Sequence, residues 1–185
     1  MPVPDFNSSG VLPPHLGNPC NITELSPYPV TSLEVCQKLS FSPDRREILR
    51  GWIAVRRMLR TLGYNYGFQW INGSFLEDTE KHRNNTAPGD IDVVSFLPPL
   101  APGFNSPFLA ILSSRAQTKL VYKVDHIVVP LSSPGEALVE ASRYWCGLFS
   151  HRRHDGMWKG MLKVDLITAA NDDAAKTHLD SLGTP

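Results

Sequence analysis

The chain has 185 residues, room for one domain with a real core, and its 42% apolar and 19% charged composition is that of a soluble globular protein. Basic and acidic side chains balance at 18 each, so global charge points to no nucleic-acid partner and any such binding needs a local patch. Three scattered cysteines (Cys20, Cys36, Cys146) without a C-x-x-C pair speak against both a disulfide framework and a zinc ribbon.

Residues 1–10 show neither a basic n-region nor an apolar h-region, and the longest apolar runs are strand-sized. The expectation is a reduced, cytoplasmic protein with no membrane partner, in which the N-x-S/T matches at Asn7, Asn21, Asn72 and Asn84 are chance. Residues 1–41 hold seven of the sixteen prolines and no clear helical period, so they read as an extended arm laid over the domain surface. A helix is predicted over 43–62, with Ser42 as cap, Pro43 in the first turn and Gly63 as the stop. Ile48, Trp52, Val55, Leu59 and Leu62 form its buried stripe. Arg45, Arg46, Arg50, Arg56, Arg57 and Arg60 fall mostly off that stripe. They read as a solvated basic face, with a surface for RNA or an acidic partner as the sharper alternative.

Strands are predicted over 68–72, 91–97, 121–131 and 158–167. Asn105-Ser106-Pro107 should open a helix carrying Phe108, Ile111 and Leu112 on one side. Ser133-Pro134-Gly135-Glu136 reads as a capping box, starting a helix with Leu138, Ala141, Trp145 and Leu148 inward. From Thr168 the chain is polar and should fray. The fold class is therefore α/β (α+β), a small mixed sheet flanked by helices, in a domain over 42–167 with an arm before it and a tail at 168–185.

The informative stretch is 70–97. Asp90 and Asp92 begin an otherwise apolar strand, and side chains two apart share a face. Two like charges so close call for a cation, and a hard one that takes carboxylate and phosphate oxygens together suits them. Gly73-Ser74 ends the preceding strand, where a glycine lets backbone approach a phosphate and Ser74 adds a hydroxyl donor. No G-x-G-x-x-G turn, Walker loop or G-x-S-x-G elbow is present.

Gly73-Ser74 followed by Asp90-Ile91-Asp92-Val93 resembles the nucleotidyltransferase superfamily, the group sharing a DNA polymerase β-like core. The Gly10-Val11-Leu12-Pro13-Pro14 arm, Gly73-Ser74-Phe75 and Trp158-Lys159-Gly160 look like a short, stand-alone, uncharacterised bacterial branch of it, and the likeness spans about residues 5–167. The resemblance implies a nucleotidyltransferase-like core in which Asp90, Asp92 and a third acid hold Mg2+ or Mn2+ and act as catalytic residues. Asp125, on the next strand, is the expected third acid and Asp165 its competitor. Gly73, Ser74 and Lys159 would contact the nucleoside triphosphate (NTP), with ATP expected. The gap from Ser74 to Asp90 is longer than usual, with 79–89 resembling an inserted loop. Phe75, Leu76 and Glu77 stand where small antitoxin-like members often carry an arginine, for which Lys159, Arg152 or Arg153 could substitute. The implied reaction attaches a nucleoside monophosphate to a protein, RNA or small-molecule hydroxyl, by analogy in a toxin–antitoxin or phage-defence setting. The rival is a non-catalytic nucleotide- or partner-binding module on the same fold. His151 and His154 lie in a basic loop without a third zinc ligand nearby, His126 should point to the other sheet face, and Trp145 and Trp158 should be core.

Overall fold

Alternation in the central strands decides the layering. In the computed structural model, which describes residues 2–82, 86–100 and 107–183, β2 (Phe68–Asn72) lies between β5 (Leu162–Asp165) and β3 (Ile91–Leu97) and is antiparallel to both. β4 (Val124–Pro130) runs parallel to β3, and β1 (Tyr28–Val30) parallel to β5, giving the order β1-β5-β2-β3-β4. On one face Ile71, Val93, Val124 and Leu162 share a core with α1 (Ser32–Leu39), α2 (Pro43–Thr61) and α7 (Ala169–Ser181). On the other, Phe68, Trp70, Val94 and Phe96 pack with Leu138, Ala141, Trp145 and Phe149 of α6 (Gly135–Phe149). The protein is thus of the α/β class with a mixed sheet between helices. No helix among the described residues is long and apolar enough to cross a membrane.

Several elements differ from expectation, each for a local reason. The arm supplies β1 and α1, and Val11 and Leu12 are fully buried. α1 starts at a capping box: the Glu34 amide donates to Thr31 Oγ1 (3.1 Å) and the Thr31 amide donates to Glu34 Oε2 (2.7 Å). The box expected at 133–136 does not form; the helix begins at Gly135, with Pro134 at the cap and Leu148 turned outward. Ser42 does precede α2, but its hydroxyl donates to Glu80 Oε1 (3.0 Å) of the short α3 (Thr79–His82) instead of the helix end. After α4 (Pro107–Leu112), the first residues of the strand expected over 121–131 close α5 (Arg115–Tyr122), and Lys123 at φ 55° turns the chain into β4. β5 takes only four residues of 158–167, and Trp158 is exposed, its ring 5.6 Å from that of His15. The polar tail is helix α7. Asn105 and Ser106, and residues 83–85 of the loop with its Asn84 match, lie outside the described residues.

The arginines of α2 do not form one solvated face. Arg45 is fully buried on Glu80 (2.8 Å) and the carbonyls of Phe75 (2.7 Å) and Glu77 (2.5 Å). Arg56, 1% exposed, donates to Asp172 Oδ1 (2.7 Å), Gln69 Oε1 (2.9 Å) and the Asp165 carbonyl (2.8 Å). Arg46 and Arg50 donate to backbone carbonyls of α7 and the residues just after it. A buried cation needs such partners, because its desolvation is otherwise uncompensated.

The same network crosses the sheet. Gln69 Nε2 donates to Ser95 Oγ (2.9 Å), and Ser95 Oγ is in turn hydrogen-bonded (2.8 Å) to Nε2 of the buried His126 imidazole. Burial pushes its pKa down to about 4. A lowered histidine pKa means that this contribution is complete above the unfolded value of 6.5 and is lost as pH falls toward 4, about 3 kcal/mol in all. Urea unfolding of Asp92→Asn, chosen because Asp92 titrates in the opposite sense in this range, should show that loss between pH 7 and pH 4. Adding His126→Gln should flatten it. A flat profile with His126 intact would remove the neutral buried imidazole.

Candidate functional site

Strand register builds the site. Asn72 pairs with Asp92, and Asp92 pairs with Asp125, so the ends of three adjacent strands set these side chains in one row. Asp90, two residues before Asp92, adds a fourth polar group at the mouth of the same cleft. Asp165 lies at the opposite end of the sheet, paired with Phe68, its carboxylate 3.6 Å from Lys163. Asp125, not Asp165, accompanies the Asp-x-Asp pair.

Gly73 has a reason to be glycine. Its φ is +82°, and a Cβ there would lie 1.9 Å from Asp92 Oδ2. The turn it opens, Ser74–Leu76, is anchored by the fully buried Phe75 and Leu76. Two buried cations hold it from beneath: Arg45 through the Phe75 and Glu77 carbonyls, and Lys159 through the Gly73 carbonyl (2.9 Å) and Glu77 Oε1 (2.7 Å). Lys159, expected to face phosphate, is 3% exposed and braces the turn instead. Asn72, whose role the motif alone did not disclose, accepts from the Gly73 amide (2.7 Å) and donates to the carbonyls of Phe149 (2.7 Å) and Gly160 (3.2 Å). An asparagine ending an apolar strand was the available signal. Gly73→Ala should lower stability by about 1–3 kcal/mol in thermal unfolding, through both the positive φ and the overlap. Gly89→Ala, whose Cβ meets nothing within 4 Å, should stay within about 0.5 kcal/mol of the parent. Equal effects would mean that the turn can yield.

The electrostatics are those of crowded anions. Burial first, then the charges of Asp90 and Asp125, raise the Asp92 pKa to about 6. Asp125, 3% exposed, is held below the usual carboxylate range by Arg115, which donates to Oδ1 from Nε and to Oδ2 from Nη2 (2.6 Å). Lys119 Nζ lies 2.6 Å from Asp90 Oδ2 and 3.7 Å from Asp125 Oδ2, and Asp90 raises its pKa. Neither cation was anticipated, because α5 was not; their i, i+4 spacing ahead of an acid-bearing strand was the only trace.

The cleft around these groups measures about 650 Å³, a size ordinary for small-molecule sites, with Tyr144 and Trp145 among the side chains lining it. Arg153 enters it from the loop after α6, close enough to lower the Asp92 pKa. Arg152 is committed to Asp155 (2.5 and 3.0 Å) and the Ser9 carbonyl (2.9 Å). His151 stacks no ligand set: its Nδ1 contacts Ser150 Oγ (3.0 Å) and the Gly147 carbonyl (3.2 Å). Among the described residues, no three or more His, Cys, Asp or Glu side chains form a preassembled metal cage. What Asp90 and Asp92 offer is a pair of hard oxygen donors crowded together with Asp125 in one cleft. That fits a magnesium-type ion, which binds one or two carboxylates and completes its shell with phosphate oxygens and water.

The chain belongs to a family of unknown function, DUF6932, whose model matches residues 4–165. The matched span runs from the arm to the last residue of β5 and contains every cleft group described above. No curated protein and no solved structure matches the chain.

Proposed function

We propose that this DUF6932 member is a metal-dependent nucleotidyltransferase, moving a nucleoside monophosphate from an NTP, with ATP the expected donor, to a hydroxyl acceptor. The observation that carries the reading is the single cleft in which Asp90, Asp92 and Asp125 meet the Gly73-Ser74 turn, with Gly73 packed so closely on Asp92 that no side chain fits between them. Asp90 and Asp92 would hold Mg2+ or Mn2+, with Asp125 beside them. Bound there, the ion would neutralise triphosphate charge and align the α-phosphate for in-line attack.

The chain's own groups do the rest. Ser74 Oγ donates to a phosphate oxygen at the turn, and Arg153 faces the same space with its positive charge. Asp125 takes the proton of the acceptor hydroxyl, which requires the Arg115 fork on it to open first. The acceptor oxygen bonds to the α-phosphorus, the bond to the β-phosphate bridge breaks, and pyrophosphate leaves. The acceptor is to be sought among proteins, RNA ends and small hydroxylated molecules, including a toxin partner of the kind that small bacterial members of the resembled superfamily modify.

A second reading, a non-catalytic nucleotide- or partner-binding module, is favoured by one observation: Arg115 and Lys119 already neutralise the acids from within the chain. The two part in one assay. Magnesium-dependent pyrophosphate release from each of the four ribonucleoside triphosphates, with RNA and cell extract supplied as acceptors, is expected for the enzyme. Nucleotide binding with no release under any of these conditions would carry the module.

A further inference from the structure

Two cations stand on the acid cluster from successive turns of one helix. Lys119 lies 2.6 Å from Asp90 and 3.7 Å from Asp125, while Arg115 forks both oxygens of Asp125. The partners differ in freedom. The side chains of Arg115 and Lys119 are 63% and 55% exposed, those of Asp125 and Asp90 only 5% and 18%. Asp125 is fixed on β4 and Asp90 sits next to the first residue of β3, whereas the cations hang on long flexible stems that can swing without unfolding anything. The helix behind them is anchored: the Tyr122 carbonyl at the end of α5 touches Gly51 of α2 so closely that a Cβ there would sit 1.8 Å from it. Any exchange at the site is therefore an exchange of side chains, not of helices.

A divalent ion on Asp90 must displace Lys119 and then suffers its repulsion, whereas an entering triphosphate offers both cations new oxygens. We propose, resting on the nucleotidyltransferase reading, that Lys119 and Arg115 are exchangeable counter-cations coupling metal entry to triphosphate binding. On the carboxylates they oppose the metal; drawn onto the triphosphate, they release Asp90 to the metal and Asp125 to the acceptor hydroxyl. They are positioning residues, and the coupling must be reciprocal: metal and triphosphate each tighten the other.

The test reads binding, not turnover. Mn2+ affinity is measured by electron paramagnetic resonance on the full chain, with and without α,β-methylene ATP. The wild type should bind Mn2+ about tenfold tighter with the analogue than without it. Lys119→Met and the milder Lys119→Gln should bind Mn2+ alone about tenfold tighter than wild type, and should bind the analogue more weakly, so the coupling shrinks. Unfolding curves confirm that each variant is folded; Lys119 is exposed enough for that. The proposal is overturned if wild type binds both ligands independently, or if both Lys119 variants bind Mn2+ no tighter than wild type while the analogue still binds. If the wild type binds no analogue at all, with or without Mn2+, the nucleotidyltransferase reading falls and this coupling falls with it.

Discussion

On the proposed reading, Asp90→Ala/Asp92→Ala should release pyrophosphate at least about a thousandfold more slowly than the wild type, because the two carboxylates would hold the metal ion whose positive charge organises the triphosphate. The expected companion result separates chemistry from collapse. Asp92 has a folded pKa of about 6 against 3.8 for the ordinary group. A raised carboxylate pKa means that the fold loses stability as pH climbs from 3.8 through 6, to a total of about 3 kcal/mol above that range. Asp92→Asn should therefore melt higher than wild type at pH 8, by about 1–3 kcal/mol of stability, with the gain vanishing below pH 4. Lost activity with gained stability is the signature of a side chain held for function at the expense of the fold. Near-normal turnover by the double variant would defeat the catalytic reading; a variant less stable than wild type at pH 8 would defeat the account of the crowded anions.

Asp172→Ala should be the most damaging single change outside the cleft. Its carboxylate is 1% exposed and accepts from Arg56 Nε (2.7 Å), Ser32 Oγ (2.6 Å) and Arg60 Nη2. Removing it leaves the Arg56 guanidinium buried without a counter-charge, for which about 3–5 kcal/mol is typical. At this chain length that corresponds to a fall of about 10 °C in Tm. Asp173→Ala, one residue on and 3.9 Å from Arg60 on an exposed surface, should change stability by less than about 0.5 kcal/mol. Equal effects would mean that α7 is held by its backbone and apolar contacts alone.

What was legible in the sequence followed from periodicity and from chemistry that needs neighbours in the chain. The α2 stripe, the alternation of β2 and β3, and the grouping of Asp90 with Asp92 depend on spacings of two to four residues. Asp125 was placed by the order of elements, a step longer, and strand register puts it level with Asp92. What escaped depended on distant partners. Arg45 and Arg56 look solvated beside their apolar neighbours, and only Glu80 and Asp172, far away in sequence, make their burial tolerable. α7 reads as frayed for the same reason, since its buried apolar residues, Ala175 and Leu179, are few, and its buried Asp172 is matched only by Arg56 and Arg60, far away in sequence. α1 was missed although Thr31-x-x-Glu34 announces it, because prolines dominate the segment around it. Lys159 illustrates the limit at the cleft: its charge was noticed, but whether it points at ligand or at the Gly73 carbonyl is a matter of packing.

The edge strand β1 sets a condition on the order of folding. Tyr28 pairs with Leu162 and Val30 with Val164, so the fifth strand of the sheet cannot be added until nearly the whole domain has left the ribosome. Until then β1 lacks its only strand partner among the described residues, although Tyr28, Val30 and Leu12 already have apolar neighbours on α1 and α2. Contacts of such long sequence range slow folding and leave apolar segments open to wrong pairing in the meantime. The proline-rich arm answers that hazard directly, since Pro13, Pro14, Pro27 and Pro29 lack the amide protons that a stray strand would need.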